Sequence, residues 1–205
     1  MAFKPAYREQ AKLRMALMGP AKTGKTMTSL ATAASIAHEI RKRGGDGRIA
    51  VVDTERESVK LYTMSRAERR KYDAMSIETG YEYIKQIRRY PVDIDDSMAT
   101  FSPLTYVDKI NEAAREGYDI TIVDSISHAW AGIGGALDRK GKIEDRGANS
   151  FTAWKTITPE HNAFVEAMLS TPNHLIVTLR MKTTHVMETS AATGKINIVE
   201  KGLEE

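Results

Sequence analysis

The chain has 205 residues, enough for one α/β domain with a sizeable core, and its formal charge of +3 at pH 7 is too small to demand a nucleic-acid partner. It contains no cysteine, which excludes disulfides and thiolate metal sites. No apolar run approaches the roughly 18 residues of a membrane span, and the first residues carry no signal-peptide pattern, so a soluble, cytoplasmic protein is expected.

Taken in order, residues 1–12 form a short polar arm. Residues 13–18 read as a mostly apolar strand leading into Gly19-Pro20-Ala21-Lys22-Thr23-Gly24-Lys25-Thr26, which matches G-x-x-x-x-G-K-[ST] without a departure. Met27, Leu30, Ala31, Ala34, Ala37 and Ile40 then recur at helical spacing until Gly44-Gly45 stops the run. A second strand is expected over 49–53, ending in Asp53-Thr54-Glu55. Residues 56–100 are charged and poorly patterned and read as an insertion. A helix over 106–116 precedes a third strand ending in Val123-Asp124-Ser125. The glycine- and charge-rich stretch 132–150 reads as a loop. Thr158-Pro159 reads as a cap and first residue of a helix burying Phe164, Val165, Met168 and Leu169. A fourth strand follows over 174–179, and 184–199 alternates and turns at Thr193-Gly194, as a β-hairpin does. Alternating strands and helices predict a single α/β domain with a mainly parallel sheet and helices on both faces.

Strand, glycine loop and helix in this sequence form a phosphate cradle. Gly19, Pro20, Ala21, Lys22, Thr23, Gly24, Lys25, Thr26 and Met27 are the expected nucleotide contacts, with backbone N–H groups and the positive helix end facing the phosphates. Lys25 is expected on the β- and γ-phosphates of ATP, and Thr26 on Mg²⁺. Asp124 ends an apolar strand, where open α/β sheets place their ligands, and is expected to share the Mg²⁺ with Thr26. Its neighbour is Ser125 rather than a second carboxylate, so the base must come from elsewhere. Glu55 is the candidate, expected beside the phosphate loop because strands joined by one crossover helix are near neighbours. Asp53 competes, as a group that points into the sheet or caps the turn.

Gly-Pro-x-x-x-Gly-Lys-Thr, Asp53-Thr54-Glu55 and Val123-Asp124-Ser125 together resemble the RecA-like P-loop core. The resemblance implies that Glu55 is the catalytic carboxylate. The position after the fourth strand, usually a γ-phosphate-sensing glutamine, is Arg180 here, which implies a γ-phosphate contact or a finger reaching a neighbouring subunit. Asp124-Ser125-Ile126-Ser127-His128-Ala129-Trp130, Gly134-Gly135-Ala136-Leu137 and Asn149-Ser150-Phe151-Thr152-Ala153-Trp154 look like bacteriophage RecA-like ATPases of recombination and single-strand annealing. That likeness implies single-stranded DNA as partner, a homo-oligomer (ring or filament), and a further strand or two past Glu205. It also implies two DNA-contacting segments, with Arg139, Lys140, Lys142 and Arg146 in one and Lys182 and Lys195 in the other, helped by stacking on Phe151 or Trp154. Phe3-Lys4-Pro5-Ala6 resembles the Phe-x-x-Ala plug joining recombinase subunits. Trp130 and Trp154 are otherwise expected in the core, and His128 has no assigned role. The expected activity is Mg²⁺-dependent ATP hydrolysis on single-stranded DNA. A small-molecule or nucleoside kinase and a nucleotide-dependent loader or scaffold without turnover are the rival readings.

Overall fold

A computed structural model describes residues 11–55, 58–189 and 196–204. Its centre is a five-stranded, all-parallel sheet: β1 (Arg14–Gly19), β2 (Ile49–Asp53), β3 (Asp93–Asp95), β4 (Ile120–Asp124) and β5 (His174–Arg180), in the order β1-β5-β4-β2-β3. β2 and β4 are buried along their whole length, which is why they are near-continuous apolar runs. β1 and β3 are the edges. β3 is three residues long and flanks Ile94 with Asp93 and Asp95, a short charged edge that resists pairing with other chains.

The strand period of two divides the core. Val51, Ile122 and Ile176 face α1 (Lys25–Lys42), while Val52, Val123, Leu175 and Val177 face the opposite layer. α1 lies close on the sheet because its inner stripe is Leu30, Ala33, Ala34 and Ala37. The opposite layer is α4 (Pro103–Arg115) and α7 (Ser150–Ser170), which contribute Tyr106, Ile110 and Phe164. The stretch expected as an insertion carries α2 (Arg66–Asp73), α3 (Ile77–Ile87) and β3, and places Val59, Tyr72, Ile84 and Tyr90 in the α1-side core. Ser65 with Glu68, and Ser76, cap the two helices. β6 (Lys182–Thr189) and β7 (Ile196–Glu204) pair antiparallel as a separate two-stranded sheet, the expected hairpin, whose Thr193-Gly194 turn lies outside the described residues.

Three expectations are corrected. The loop expected over 132–150 follows a short helix, α5 (Ser127–Ala131), and itself contains a second, α6 (Ala136–Glu144). Its charges are spaced i, i+4 with opposite sign, Asp138 with Lys142 and Lys140 with Glu144, so they support a helix instead of solvating a loop. α7 does not open at Thr158-Pro159: Asn149 caps it, and Pro159 sits inside. The buried stripe Ala153, Ile157, Phe164 and Ala167 runs across the proline, and that packing outweighs the lost hydrogen bond. Lys155, whose carbonyl loses its donor, is exposed to water. Finally, β1 and β2 are not neighbours. β5 and β4 lie between them, because the α1 crossover spans two intervening strands.

Candidate nucleotide site

The phosphate loop runs from the end of β1 into α1. Lys22 and Gly24 have left-handed φ values of 65° and 85°, and Gly24 is the N-cap of α1 with no side-chain cap bond. No acidic residue sits in the first turn of α1. The helix therefore presents uncapped N–H groups and its positive end to the loop interior, the arrangement that receives a phosphate. A Cβ at Gly19 would come within 3.1 Å of the Thr23 hydroxyl, which itself donates to the Pro20 carbonyl at 2.9 Å and closes the loop. Lys25 Nζ donates to the carbonyls of Gly19 (2.9 Å) and Pro20 (2.7 Å), so its ammonium already lies over the cradle. Burial holds its pKa below the ordinary lysine value, Asp124 opposing and Arg180 adding to the fall. Pro20, Ala21 and Lys22 form the exposed crest, and Met27 is half-buried in the first turn of α1. A pocket of about 290 Å³ lies beside the loop, lined by Leu17, Met18, Gly19, Pro20, Thr23, Lys25 and Thr28.

Thr26 and Asp124 meet although 98 residues separate them: Thr26 Oγ1 donates to Asp124 Oδ2 at 2.5 Å. Thr178, from the adjacent β5, donates to Asp124 Oδ1, so both oxygens of this buried carboxylate are oriented. Two hard oxygen ligands, hydroxyl and carboxylate, suit Mg²⁺, which keeps most of its remaining shell as water and phosphate oxygen. Among the described residues no group of three or more histidines or carboxylates gathers into a cage, and Mg²⁺ of this kind needs none.

Glu55 reaches the same end of the sheet by a different route from the one expected. β2 lies beside β4, with Asp53 opposite Asp124 in register, and Ser125 Oγ donates to Glu55 Oε1 at 2.7 Å. The other carboxylate oxygen is ion-paired with Arg180. Asp53 accepts the Glu55 N–H at 2.9 Å and is buried, which makes it the cap of this turn. Arg180 stands opposite Gly19 in the β1–β5 register, and its own N–H donates to Ser127 Oγ at 2.7 Å. Thus Lys25, Thr26, Glu55, Asp124 and Arg180 converge at one end of four adjacent strands.

Behind them lies a polar knot that sequence reasoning missed. The Ser125 N–H donates to Thr54 Oγ1 and the Thr54 hydroxyl donates to the Ser125 carbonyl, both at 2.8 Å. Tyr106 OH donates to the same carbonyl at 3.1 Å, and His128 Nδ1 lies 3.2 Å from Thr54 Oγ1. Burial raises the Tyr106 pKa, so it stays a donor. Thr178, a hydroxyl inside the apolar run of β5, was the readable signal for an orienting group.

The basic residues expected to contact DNA are not gathered in the same way. Arg139 pairs with Glu160, Lys140 with Glu144 at 2.8 Å and Lys142 with Asp138 at 2.7 Å. Arg146 makes no ion pair among the described residues. Lys182 opens β6, and Lys195 and Phe3-Lys4-Pro5-Ala6 lie outside the described residues. Trp130 and Trp154 are not core residues. They stack on each other with centroids 5.5 Å apart, Trp130 is 45% exposed, and Phe151 is exposed one turn before Trp154. Lys140 lies 5.8 Å over the Trp154 ring.

Residues 11–203 match the family model of an AAA domain. No curated protein matches the chain.

Proposed function

The chain belongs to the AAA-domain family of P-loop nucleotide-binding ATPases, and from that premise we propose that it is a Mg²⁺-dependent ATPase of the RecA-like, phage type acting on single-stranded DNA in recombination or replication. The observation that carries the ATPase reading is the bond from Thr26 to Asp124, which joins the phosphate loop to the end of β4 where a metal-bound triphosphate would lie. Thr26 and Asp124 would hold Mg²⁺, which when bound neutralises charge on the phosphate oxygens. Lys25 turns from its own loop carbonyls to the β- and γ-phosphates. Glu55 orients the attacking water and takes its proton as the new bond to the γ-phosphorus forms and the bridging bond to ADP breaks. Arg180 meets the charge on the γ-phosphate, its place opposite Gly19 putting it on the strand next to the loop.

The DNA reading rests on α5, α6 and α7. The paired tryptophans and Phe151 offer faces on which bases stack, and Lys140, Arg146 and the neighbouring cations suit the backbone between them. Ser127 and His128, on the same short helix as Trp130, touch Arg180 and Thr54, so nucleotide state can bias this face. Among the described residues no helix is long and apolar enough to cross a membrane, and a cytoplasmic homo-oligomer, ring or filament, fits this role. Phosphate release from ATP, measured with and without single-stranded DNA alongside sizing, tests the proposal. Turnover that rises with DNA is expected, and turnover that rises only with an added nucleoside would identify a kinase instead.

A further inference from the structure

Glu55 has both carboxylate oxygens engaged, one by Ser125 and one by Arg180, and its side chain is only 8% exposed. Each oxygen keeps a second lone pair, but with Arg180 on Oε2 and so little of the side chain exposed, the carboxylate is both partly neutralised and screened from an attacking water. The Arg180 side chain is 47% exposed. Its backbone is fixed by Ser127 and by the β1–β5 register, so only the guanidinium, held by the Glu55 pair, is left to change partners. β5 is adjacent to β1 and two strand positions from β2, so in pairing with Glu55 the arginine reaches over the end of β4. At roughly 4.8 Å per strand position, the phosphate loop is about half as far from Arg180 as β2 is.

We infer that Arg180 is a lock on Glu55 that only a nucleoside triphosphate opens. The inference rests on the ATPase reading and adds the regulation of that site. A γ-phosphate concentrates more than one negative charge beside the loop and accepts a forked guanidinium, so it competes with a single carboxylate for Arg180. A diphosphate ends in the cradle of Gly24 and Lys25 and offers Arg180 no such anion. Once Arg180 leaves, Ser125 keeps Oε1 in place and Oε2 faces the reaction space. The positive influence of Arg180 on Lys25 agrees with its standing between the two sites.

The lock has a binding signature that needs no turnover. Breaking it from the carboxylate side hands Arg180 to the triphosphate, so Glu55→Gln should bind a non-hydrolysable ATP analogue with Mg²⁺ about three- to tenfold tighter than wild type, ADP affinity being unchanged. In an Arg180→Ala background the same substitution should produce no gain. Titration calorimetry of the wild type, both single variants and the double variant gives the comparison. A gain that persists without Arg180, or no gain at all, overturns the lock while leaving the ATPase reading intact. A wild type that binds neither nucleotide overturns both.

Discussion

The carboxyl end of the sheet and the α5–α7 face both carry charged residues, yet they are organised by opposite rules. At the sheet end, Lys25, Thr26, Glu55, Asp124 and Arg180 come from four different strands or their connections and aim at one space. On the other face, the cations answer mainly to carboxylates on their own helix or its neighbour: Lys140 to Glu144, Lys142 to Asp138, Arg139 to Glu160. Groups so distant in sequence meet only through the order of the strands, so no local rule of helix or turn accounts for their sharing one space. Charges that pair at helical spacing first of all build a helix, and any role in binding must compete with those pairs.

The largest effect is expected at Lys25. Its alanine variant should lose about 10²-fold or more of phosphate release, with weakened nucleotide binding and an unchanged fold by circular dichroism. An active variant would mean that the convergent end is not the reacting site. A smaller effect is expected on the α5–α7 face. Replacing Arg139, Lys140 and Lys142 together by alanine should flatten the slope of log affinity for single-stranded DNA against log salt by up to about 2, because each neutralised phosphate contributes roughly 0.7 to it. An unchanged slope would show that the pairs with Glu160, Glu144 and Asp138 hold and that these cations serve the helices alone.

The smallest effect belongs to neither region. At the opposite end of β5, His174 Nδ1 accepts the Leu13 N–H at 3.0 Å, and burial, then Lys12 and Arg14, hold its pKa below the ordinary 6.5, Asp119 opposing. Below that value the unfolded chain takes up a proton that the folded one refuses, so this contribution to stability is complete above it and is lost as pH falls. Thermal unfolding should therefore occur at lower temperature near about pH 5.5 than near about pH 8, and His174→Gln should flatten the dependence.

The phosphate loop was legible because its pattern is local: eight consecutive residues, with a strand before and a helix after, contain the whole turn. The strands β2, β4 and β5 were legible as apolar runs for a similar reason. Helix α6 was hidden because Gly141 and its charges carry loop composition, while its i, i+4 pairing carries the helix. The start of α7 was hidden because Pro159 reads as a beginning wherever packing is unknown.

The chain by itself determined the parallel α/β class, the phosphate loop, and the carboxylates Asp124 and Glu55 at strand ends, because these follow from residue type, period two or 3.6, and position within a run. Which strands are neighbours is set by long-range packing and is visible only in the folded chain. The order β1-β5-β4-β2-β3 places Thr26 on Asp124, and Ser125 and Arg180 on Glu55; the packing of α5 beside α7 puts Trp130 on Trp154. The physical reason is that a crossover helix obliges its two strands to be parallel but leaves open how many strands lie between them. That number is settled by how the apolar faces of all the helices share one sheet.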